Sequence, residues 1–212
     1  MVAAGSGTRF GGPKQLELIK GKPLYRHSLD AFLAHPHIGS IVLVTSEELM
    51  KALAADASER VTIVLGGVTR QQSVKNGLDA LNTDTASPIV LVHDAARPGI
   101  DERLISEVII ACEEFDAALA ALPVVDTLKR EEKELAIATI SRASLWRAQT
   151  PQGALRQLLE QALTTAVADG YEGTDEAELL ERVGINPKLV LGSEKNFKIT
   201  YPEDISRLEC LL

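Results

Sequence analysis

Apolar runs and helical segments alternate along this chain, and that alternation predicts an α/β fold with a mostly parallel, twisted sheet and helices on both faces. Short apolar runs of the kind found in buried strands occur at residues 40–45, 61–65 and 89–92. Helical patterns recur between and after these runs. The length of 212 residues suits one such domain, which is expected to span residues 1–212.

The helices of the first half are placed by their start signals. Pro23 suits the first turn of a helix whose apolar face includes Leu29 and Phe32. Thr45 and Glu48 have the spacing of a capping box, which predicts that the next helix starts at Thr45. Another helix is expected over residues 70–81, after a strand that ends in a pair of glycines.

The second half continues the alternation. Asp101 is expected to cap a helix, Gly170 to stop one, and Asp175 with Glu178 to start another. The other expected elements are strands at 117–125, 188–191 and 196–200, a helix at 154–169, and a terminal helix that begins at 202–204.

Residues 127–144 interrupt this pattern. A charged run at 131–134 lies between two short segments, of which residues 136–142 alternate in polarity. The pattern predicts a hairpin with a charged, solvated tip. Because an isolated two-stranded hairpin is only marginally stable, this arm is expected to pack against a partner surface.

Composition excludes several classes of function. A net charge of −8 argues against a nucleic-acid-binding surface, and no apolar run is long enough to cross a bilayer. Cys112 and Cys210 lack the spacing of metal ligands and are assigned no chemistry. The first residues do not have the pattern of a secretion signal, so a cytoplasmic protein is expected. The chain begins inside its first expected strand, which leaves open whether further residues precede Met1.

The first fourteen residues carry the strongest functional signal. A small apolar strand end, beginning at Val2, runs into a glycine-rich turn whose backbone N–H groups can surround an anion. Arg9 and Lys14 add a planar cation and a point charge to this turn. The combination favours a polyphosphate ligand.

Two better-known phosphate loops do not fit this stretch. A P-loop requires Ser or Thr directly after its lysine, whereas Gln15 follows Lys14 here. A dinucleotide-binding turn requires a third glycine at the position that Phe10 occupies. The turn is therefore of a different kind.

A second polar cluster follows the strand at residues 89–92. Ligands of open α/β sheets bind beyond the carboxyl ends of the strands, so His93, Asp94 and Arg97 are expected to face the glycine turn. By spacing alone, Asp94 is either a magnesium ligand or a helix cap. His93 is expected to be a hydrogen-bonded packing residue.

These stretches resemble a known family. Residues 3–9 with Pro13, Lys14 and Gln15 look like the signature of sugar-phosphate nucleotidyltransferases, and of the 2-C-methyl-D-erythritol 4-phosphate cytidylyltransferases in particular. Residues 93–98 and 146–152 are similar to further segments of that family. The resemblance implies a Rossmann-like fold, CTP as co-substrate, Mg²⁺, a small polyol phosphate as acceptor, and a homodimer joined by arm 127–144.

The resemblance also implies residue roles. It gives Arg9 and Lys14 the role of stabilising the transition state at the α-phosphate, and Arg142 and Lys198 that of positioning the acceptor phosphate. The implied nucleotide-binding positions are Ala3, Ala4, Gly5, Ser6, Gly7, Gly66, Gly67, Arg70 and Ser73. The implied acceptor-binding positions are Asp94, which is also the expected magnesium ligand, Arg97, Thr127 and Thr174. Thr174 can equally serve only as a helix cap.

Two other functions remain open at this stage. A ribitol 5-phosphate cytidylyltransferase would share CTP and magnesium but differ in its acceptor pocket, and the segments around Ala95 and Thr127 favour methylerythritol phosphate instead. A non-catalytic nucleotide-sensing domain would keep the fold without the chemistry. Retention of the candidate cations and of Asp94 weighs against that alternative.

Overall fold

The computed structural model describes residues 1–5, 7–81 and 88–211. The strands of this part are β1 (Leu18–Ile19), β2 (Lys22–Pro23), β3 (Ile41–Thr45), β4 (Val61–Leu65), β5 (Ile89–Val92), β6 (Ala117–Pro123), β7 (Leu128–Glu132), β8 (Leu135–Ile140), β9 (Trp146–Leu155) and β10 (Lys188–Leu191). Its α-helices are α1 (Leu24–Ala34), α2 (Glu47–Leu53), α3 (Arg70–Asp79), α4 (Glu102–Phe115), α5 (Arg156–Ala168), α6 (Glu176–Arg182) and α7 (Asp204–Glu209).

The N-terminal residues join two groups of strands into one sheet. Val2 pairs in parallel with Val44 of β3 on one side and with Asp94, just beyond β5, on the other. With the pairs β3–β4 and β10–β6–β9–β5, the resulting order is β4, β3, residues 1–3, β5, β9, β6, β10. β9 is antiparallel to β5 and to β6, whereas the other pairs described in this sheet are parallel. The expected mostly parallel α/β sheet is confirmed.

Helices cover both faces of the sheet because strand side chains alternate in direction. On one face, Leu43 belongs to an apolar cluster with α1 and α4, in which Leu29 and Leu104 are fully buried. On the other face, Gly77 of α3 lies against Val44, where a Cβ would come within 2.7 Å of its Cγ2. Residues of α3, α5 and α6 form a second apolar cluster. Two buried layers therefore hold the strand ends in fixed positions.

Two local signals were read correctly as helix caps. The side chain of Asp101 accepts a hydrogen bond from the Leu104 backbone N–H, and that of Asp175 accepts one from Glu178. The capping box at Thr45 was wrong, because α2 begins at Glu47 after Ser46, and Thr45 lies buried in β3. Pairing with β4 keeps Thr45 in the sheet.

Several boundaries also differ from the sequence-based expectation. Residues 146–155 form β9, so α5 starts at Arg156 rather than at residue 154. The expected strand at 196–200 is wrong. A short 3₁₀ helix, Glu194–Asn196, is followed there by irregular backbone, and Ile199 donates one backbone hydrogen bond to Ala96. A single bond of this kind does not make a strand.

The hairpin arm is confirmed. β7 and β8 pair antiparallel around a turn in which Lys133 and Glu134 have positive φ angles of 51° and 66°. The arm is largely exposed in the single chain, including the apolar side chains of Leu135 and Ile137. In the part of the chain that is described, no helix has the length and apolar character needed to span a membrane.

Candidate functional site

A cavity of about 400 Å³ opens at the carboxyl end of the N-terminal strand. Four segments of the chain line it: the glycine turn with Arg9 and Lys14, the start of α3, the end of β5 at Asp94, and residues 198–200. The sheet order explains this convergence, because residues 1–3 lie between β3 and β5 and the next strand end delivers Asp94.

The glycine turn is held open by backbone geometry. Gly7 has a φ of 66°, and a Cβ at this position would lie 1.9 Å from the carbonyl oxygen of Gly12. Only glycine fits there. Gln15 is buried beneath the turn, where its Nε2 donates to the carbonyl oxygens of Ala3 at 2.7 Å and Gly5 at 2.8 Å. Gln15 thus anchors the start of the turn, a role that was not assigned from the sequence.

Two cations from the turn face the cavity. Arg9 is exposed, whereas Lys14 is partly buried and its Nζ donates to the carbonyl oxygen of Ile199 at 2.5 Å. Burial lowers the pKa of Lys14, and the neighbouring charges of Lys198 and Arg9 lower it further. Three like charges held together favour an anionic ligand, since it would relieve their repulsion.

Asp94 lies at the centre of these cations. Its Oδ2 accepts a hydrogen bond from Lys198 Nζ at 2.7 Å, and its Oδ1 lies 3.2 Å from Arg70 Nη2. Burial would raise the pKa of this carboxyl, but Arg70 and Lys198 outweigh it and hold the pKa of Asp94 well below its usual range. Asp94 is therefore ionised, and it does not act as the helix cap that its spacing also allowed, because α4 is capped by Asp101.

The backbone that carries Asp94 is fixed from behind. His93 is fully buried, its Nε2 lies 3.2 Å from the carbonyl oxygen of Arg97, and its Nδ1 lies 3.0 Å from Thr150 Oγ1. Because a carbonyl oxygen can only accept, Nε2 carries the proton and Nδ1 accepts from the Thr150 hydroxyl. Thr150 Oγ1 in turn accepts the Asp94 backbone N–H. Burial lowers the pKa of His93 to about 3, so the ring is neutral, as expected for a packing residue.

The paired glycines after β4, Gly66 and Gly67, form a second loop that contacts the glycine turn. A Cβ on Gly66 would approach Ala4 Cβ to 2.6 Å, so the two loops touch at this point. Ser73 Oγ accepts the N–H of Gly67 at 3.0 Å and donates to the carbonyl oxygen of Thr69 at 2.9 Å. Gly67, Arg70 and Ser73 line the cavity, and Gly66 lies just behind its wall.

Besides Gly66, four of the expected site residues do not line the cavity. Arg97 is mostly buried beside Asp94 and donates to the carbonyl oxygen of Asn196. Thr174 is exposed, and its hydroxyl donates to Glu178 Oε2 at 2.7 Å. Thr127 and Arg142 are exposed at the base of the arm, where Arg142 donates to the carbonyl oxygen of Val125. Another expected residue, Ser6, lies outside the described residues.

The donor set of the cavity suits one type of metal site. Within residues 1–5, 7–81 and 88–211, no three His, Cys, Asp or Glu side chains are grouped closely enough to hold an ion by themselves. Asp94 offers a single ionised carboxylate. Mg²⁺ is typically held by one or two carboxylates together with substrate phosphates and water. Asp94 therefore fits a magnesium ion that arrives with a phosphate ligand.

Comparison with known proteins shows similarity over the whole length of this chain. The family described as 2-C-methyl-D-erythritol 4-phosphate cytidylyltransferase matches residues 1–212. Proteins of this name from Acidobacterium capsulatum and Ralstonia nicotianae are 42% and 43% identical to the chain, covering 97% and 99% of it and 92% and 89% of their own lengths. The crystal structure of 2-C-methyl-D-erythritol 4-phosphate cytidylyltransferase from Francisella tularensis is similar with a TM-score of 0.88, 31% identity, and coverage of 100% of this chain and 97% of that one.

Proposed function

Because the chain belongs to the 2-C-methyl-D-erythritol 4-phosphate cytidylyltransferase family, whose reaction it catalyses, we propose that the cavity between the glycine turn and Asp94 is where that reaction occurs. The enzyme transfers CMP from CTP to 2-C-methyl-D-erythritol 4-phosphate and releases pyrophosphate, a step of isoprenoid precursor synthesis by the non-mevalonate route. The observation that carries the placement is the convergence of Lys14, Lys198 and Arg70 around a buried, ionised Asp94.

The chemistry requires cations rather than a general base. The second pKa of a phosphate monoester is about 6, so near neutral pH the acceptor oxygen is already an anionic nucleophile. It attacks the α-phosphorus of CTP, and the bond from that phosphorus to the bridging oxygen breaks. Pyrophosphate leaves with the bonding electron pair. The main barrier is the approach of two anions and the growth of charge at the α-phosphate.

Within this reaction, Arg9 and Lys14 stabilise the charge that develops on the α-phosphate. The partial burial of Lys14 favours this role, since a charge–charge interaction is stronger away from water. Lys198 lines the same cavity as Lys14 and donates to Asp94. Together with Arg142, it positions the acceptor phosphate. Arg97, mostly buried beside Asp94, contributes its positive charge to acceptor binding.

The nucleotide occupies the space between the two glycine loops. Its triphosphate lies on the backbone of residues 3–5 and Gly7, and its cytosine lies against Gly66, Gly67 and Ser73. A Cβ at Gly66 or Gly67 would meet atoms closer than 3 Å, so a larger residue would not fit at either position. We expect this wall to accept a pyrimidine and to exclude a purine by size. Arg70 closes the wall toward Asp94.

Asp94 would hold a Mg²⁺ ion that arrives with CTP. The ion supplies electrostatic stabilisation of phosphate charge. The role of the protein is to keep the carboxylate ionised and fixed, which the cations around Asp94 and the hydrogen bond from its backbone to Thr150 achieve. We also propose that the enzyme acts in the cytoplasm.

The enzyme acts as a homodimer joined through arm 127–144. The arm presents Leu135 and Ile137 to solvent in the single chain, and a partner surface would bury them. Arg142 and Thr127 lie outside the cavity of their own chain, so an exchange of arms would deliver them to the partner's cavity. Thr174, on the turn before α6, completes the acceptor pocket.

Release of pyrophosphate tests the function directly. The enzyme is incubated with CTP and Mg²⁺ alone, with 2-C-methyl-D-erythritol 4-phosphate added, and with ribitol 5-phosphate added. We expect release only with the first acceptor. Faster release with ribitol 5-phosphate would identify that alternative enzyme, and no release with either acceptor would favour a nucleotide-sensing domain.

A further inference from the structure

Arg70 makes two unequal sets of contacts. Its Nη1 and Nη2 donate to the two carboxylate oxygens of Glu176 at 2.6 and 3.0 Å, in a fork geometry. Its contacts with Asp94 Oδ1 are longer, at 3.3 Å from Nε and 3.2 Å from Nη2. Charge-assisted N–H···O bonds are normally about 2.7–2.9 Å long. The guanidinium is therefore anchored on Glu176 and only loosely in contact with Asp94.

The surrounding structure holds the side chain of Glu176 in a fixed position. Glu176 is the first residue of α6, its side chain is only 3% exposed, and the residues on either side of it are held by Gln152. Gln152 Nε2 donates to Asp175 Oδ2 at 2.9 Å, and Gln152 Oε1 accepts the backbone N–H of Ala177 at 2.9 Å. The carboxylate of Glu176 therefore cannot follow Arg70 if the guanidinium moves.

The charges explain why the position of Arg70 matters. Burial opposes the charge of Arg70, but Glu176 and Asp94 outweigh it and raise the pKa of the guanidinium, which stays charged. Oδ2 of Asp94 already accepts a hydrogen bond from Lys198 Nζ at 2.7 Å. If Arg70 also closed on Oδ1, both oxygens of Asp94 would be occupied by cations.

We infer that Glu176 is a positioning residue that holds Arg70 back from Asp94 and so keeps Asp94 Oδ1 available to a ligand in the cavity. This inference rests on the proposed role of Asp94 as the ligand of Mg²⁺ that arrives with CTP. Glu176 does not line the cavity. It acts through Arg70 alone, across 106 positions of sequence.

The first test is structural and needs no metal. In a crystal structure of Glu176→Gln, which keeps the shape of the side chain but replaces one of the two oxygens that accept from Arg70 with an amide nitrogen that cannot accept, we expect Arg70 to move onto Asp94 with N–O distances of about 2.8 Å. An Arg70 that keeps its present distance from Asp94 would overturn the inference. If Glu176→Gln does not fold, Glu176→Asp replaces it, because the shorter side chain cannot maintain both hydrogen bonds and should allow a smaller shift.

The second test measures how much Mg²⁺ strengthens the binding of CTP, by calorimetric titration with and without the metal. The measured quantity is the dissociation constant of CTP without Mg²⁺ divided by that with Mg²⁺. We expect Glu176→Gln to reduce this ratio by about tenfold, the effect of losing one charge-assisted contact. Metal-free CTP should bind about as well as to the wild type. A uniform loss of affinity, with the ratio unchanged, would indicate a merely structural role and contradict the inference.

Two variants provide controls. Glu107→Gln removes a carboxylate that pairs with Arg103 at 2.6 Å on the exposed surface of α4, and it should leave the ratio unchanged. Adding Arg70→Met to Glu176→Gln should restore the effect of Mg²⁺, because no guanidinium remains to close on Asp94. Failure of this restoration would refute the mechanism. If wild-type protein shows no effect of Mg²⁺, the proposed metal role of Asp94 is wrong, and the position of Arg70 in the crystal still decides the inference.

Discussion

An exchange of arms predicts that two inactive variants restore activity in one dimer. Lys14 lines the cavity formed by the body of its chain, whereas Arg142 lies at the base of the arm, away from that cavity. If each arm serves the partner's cavity, one active site combines Lys14 of one chain with Arg142 of the other. We expect Lys14→Ala and Arg142→Ala to be nearly inactive alone, each slower by roughly 10² or more.

The expected recovery follows from this geometry. When equal amounts of the two variants are unfolded together and refolded, random pairing makes about half of the dimers mixed. In a mixed dimer, the body with Lys14→Ala receives the arm with Arg142→Ala, so that site carries both defects. The other site carries neither. One intact site in two, in half of the dimers, gives about a quarter of wild-type activity.

The assay is pyrophosphate release at saturating CTP and acceptor, measured on the refolded mixture and on each variant refolded alone. Differently tagged chains show how many mixed dimers form. Recovery near a quarter supports arm exchange. Activity no higher than the sum of the separate variants, in a sample that contains mixed dimers, would show that each chain builds its site from its own arm.

Three further predictions concern single positions. Lys14→Ala and Arg9→Ala should each lower kcat by roughly 10² with an unchanged unfolding temperature, because each removes one cation from the transition state; rates within about threefold of wild type would contradict their roles. Asp94→Asn should require much more Mg²⁺ for half-maximal activity, and an unchanged metal requirement would exclude Asp94 as a ligand. The pKa of His93 is lowered to about 3 from 6.5, so below pH 6.5 the unfolded chain takes up a proton that the native ring does not, and stability falls as the pH falls toward 3. Between pH 7 and pH 5, this difference in proton uptake lowers the free energy of unfolding by about 2 kcal/mol. Chemical denaturation of His93→Asn should show a pH-dependent loss smaller by that amount, and an equal loss in both proteins would refute the assigned pKa.

Local patterns in the sequence were sufficient for much of the fold. The caps at Asp101 and Asp175, the strand at Ile89–Val92 and the hairpin at 127–144 all appear where expected. These features depend on interactions within a few residues, such as side chain to backbone capping bonds and the alternation of a strand. The glycine turn was also predictable from local sequence, because the positive φ of Gly7 favours glycine at that position.

Two local signals were overruled by tertiary contacts. Thr45 has the spacing of a cap, yet pairing with β4 holds it in β3, and the segment at 196–200 has strand-like residues without a neighbouring strand to complete a ladder. β9 was missed for the opposite reason. Its pairing with β5 and β6, far away in the chain, makes residues 146–155 a strand.

By itself, the sequence determined the family and its reaction, because the motifs that contain Arg9, Lys14 and Asp94 resemble those of one family. Only the tertiary structure decided which side chains hold that chemistry in place. The contacts of Gln15 beneath the turn and of Glu176 with Arg70 were not predicted from the sequence. The role of Glu176 exists because the fold brings β5 beside the N-terminal residues and α6 beside α3. A contact across 106 positions depends on that order and not on any pattern within a short stretch.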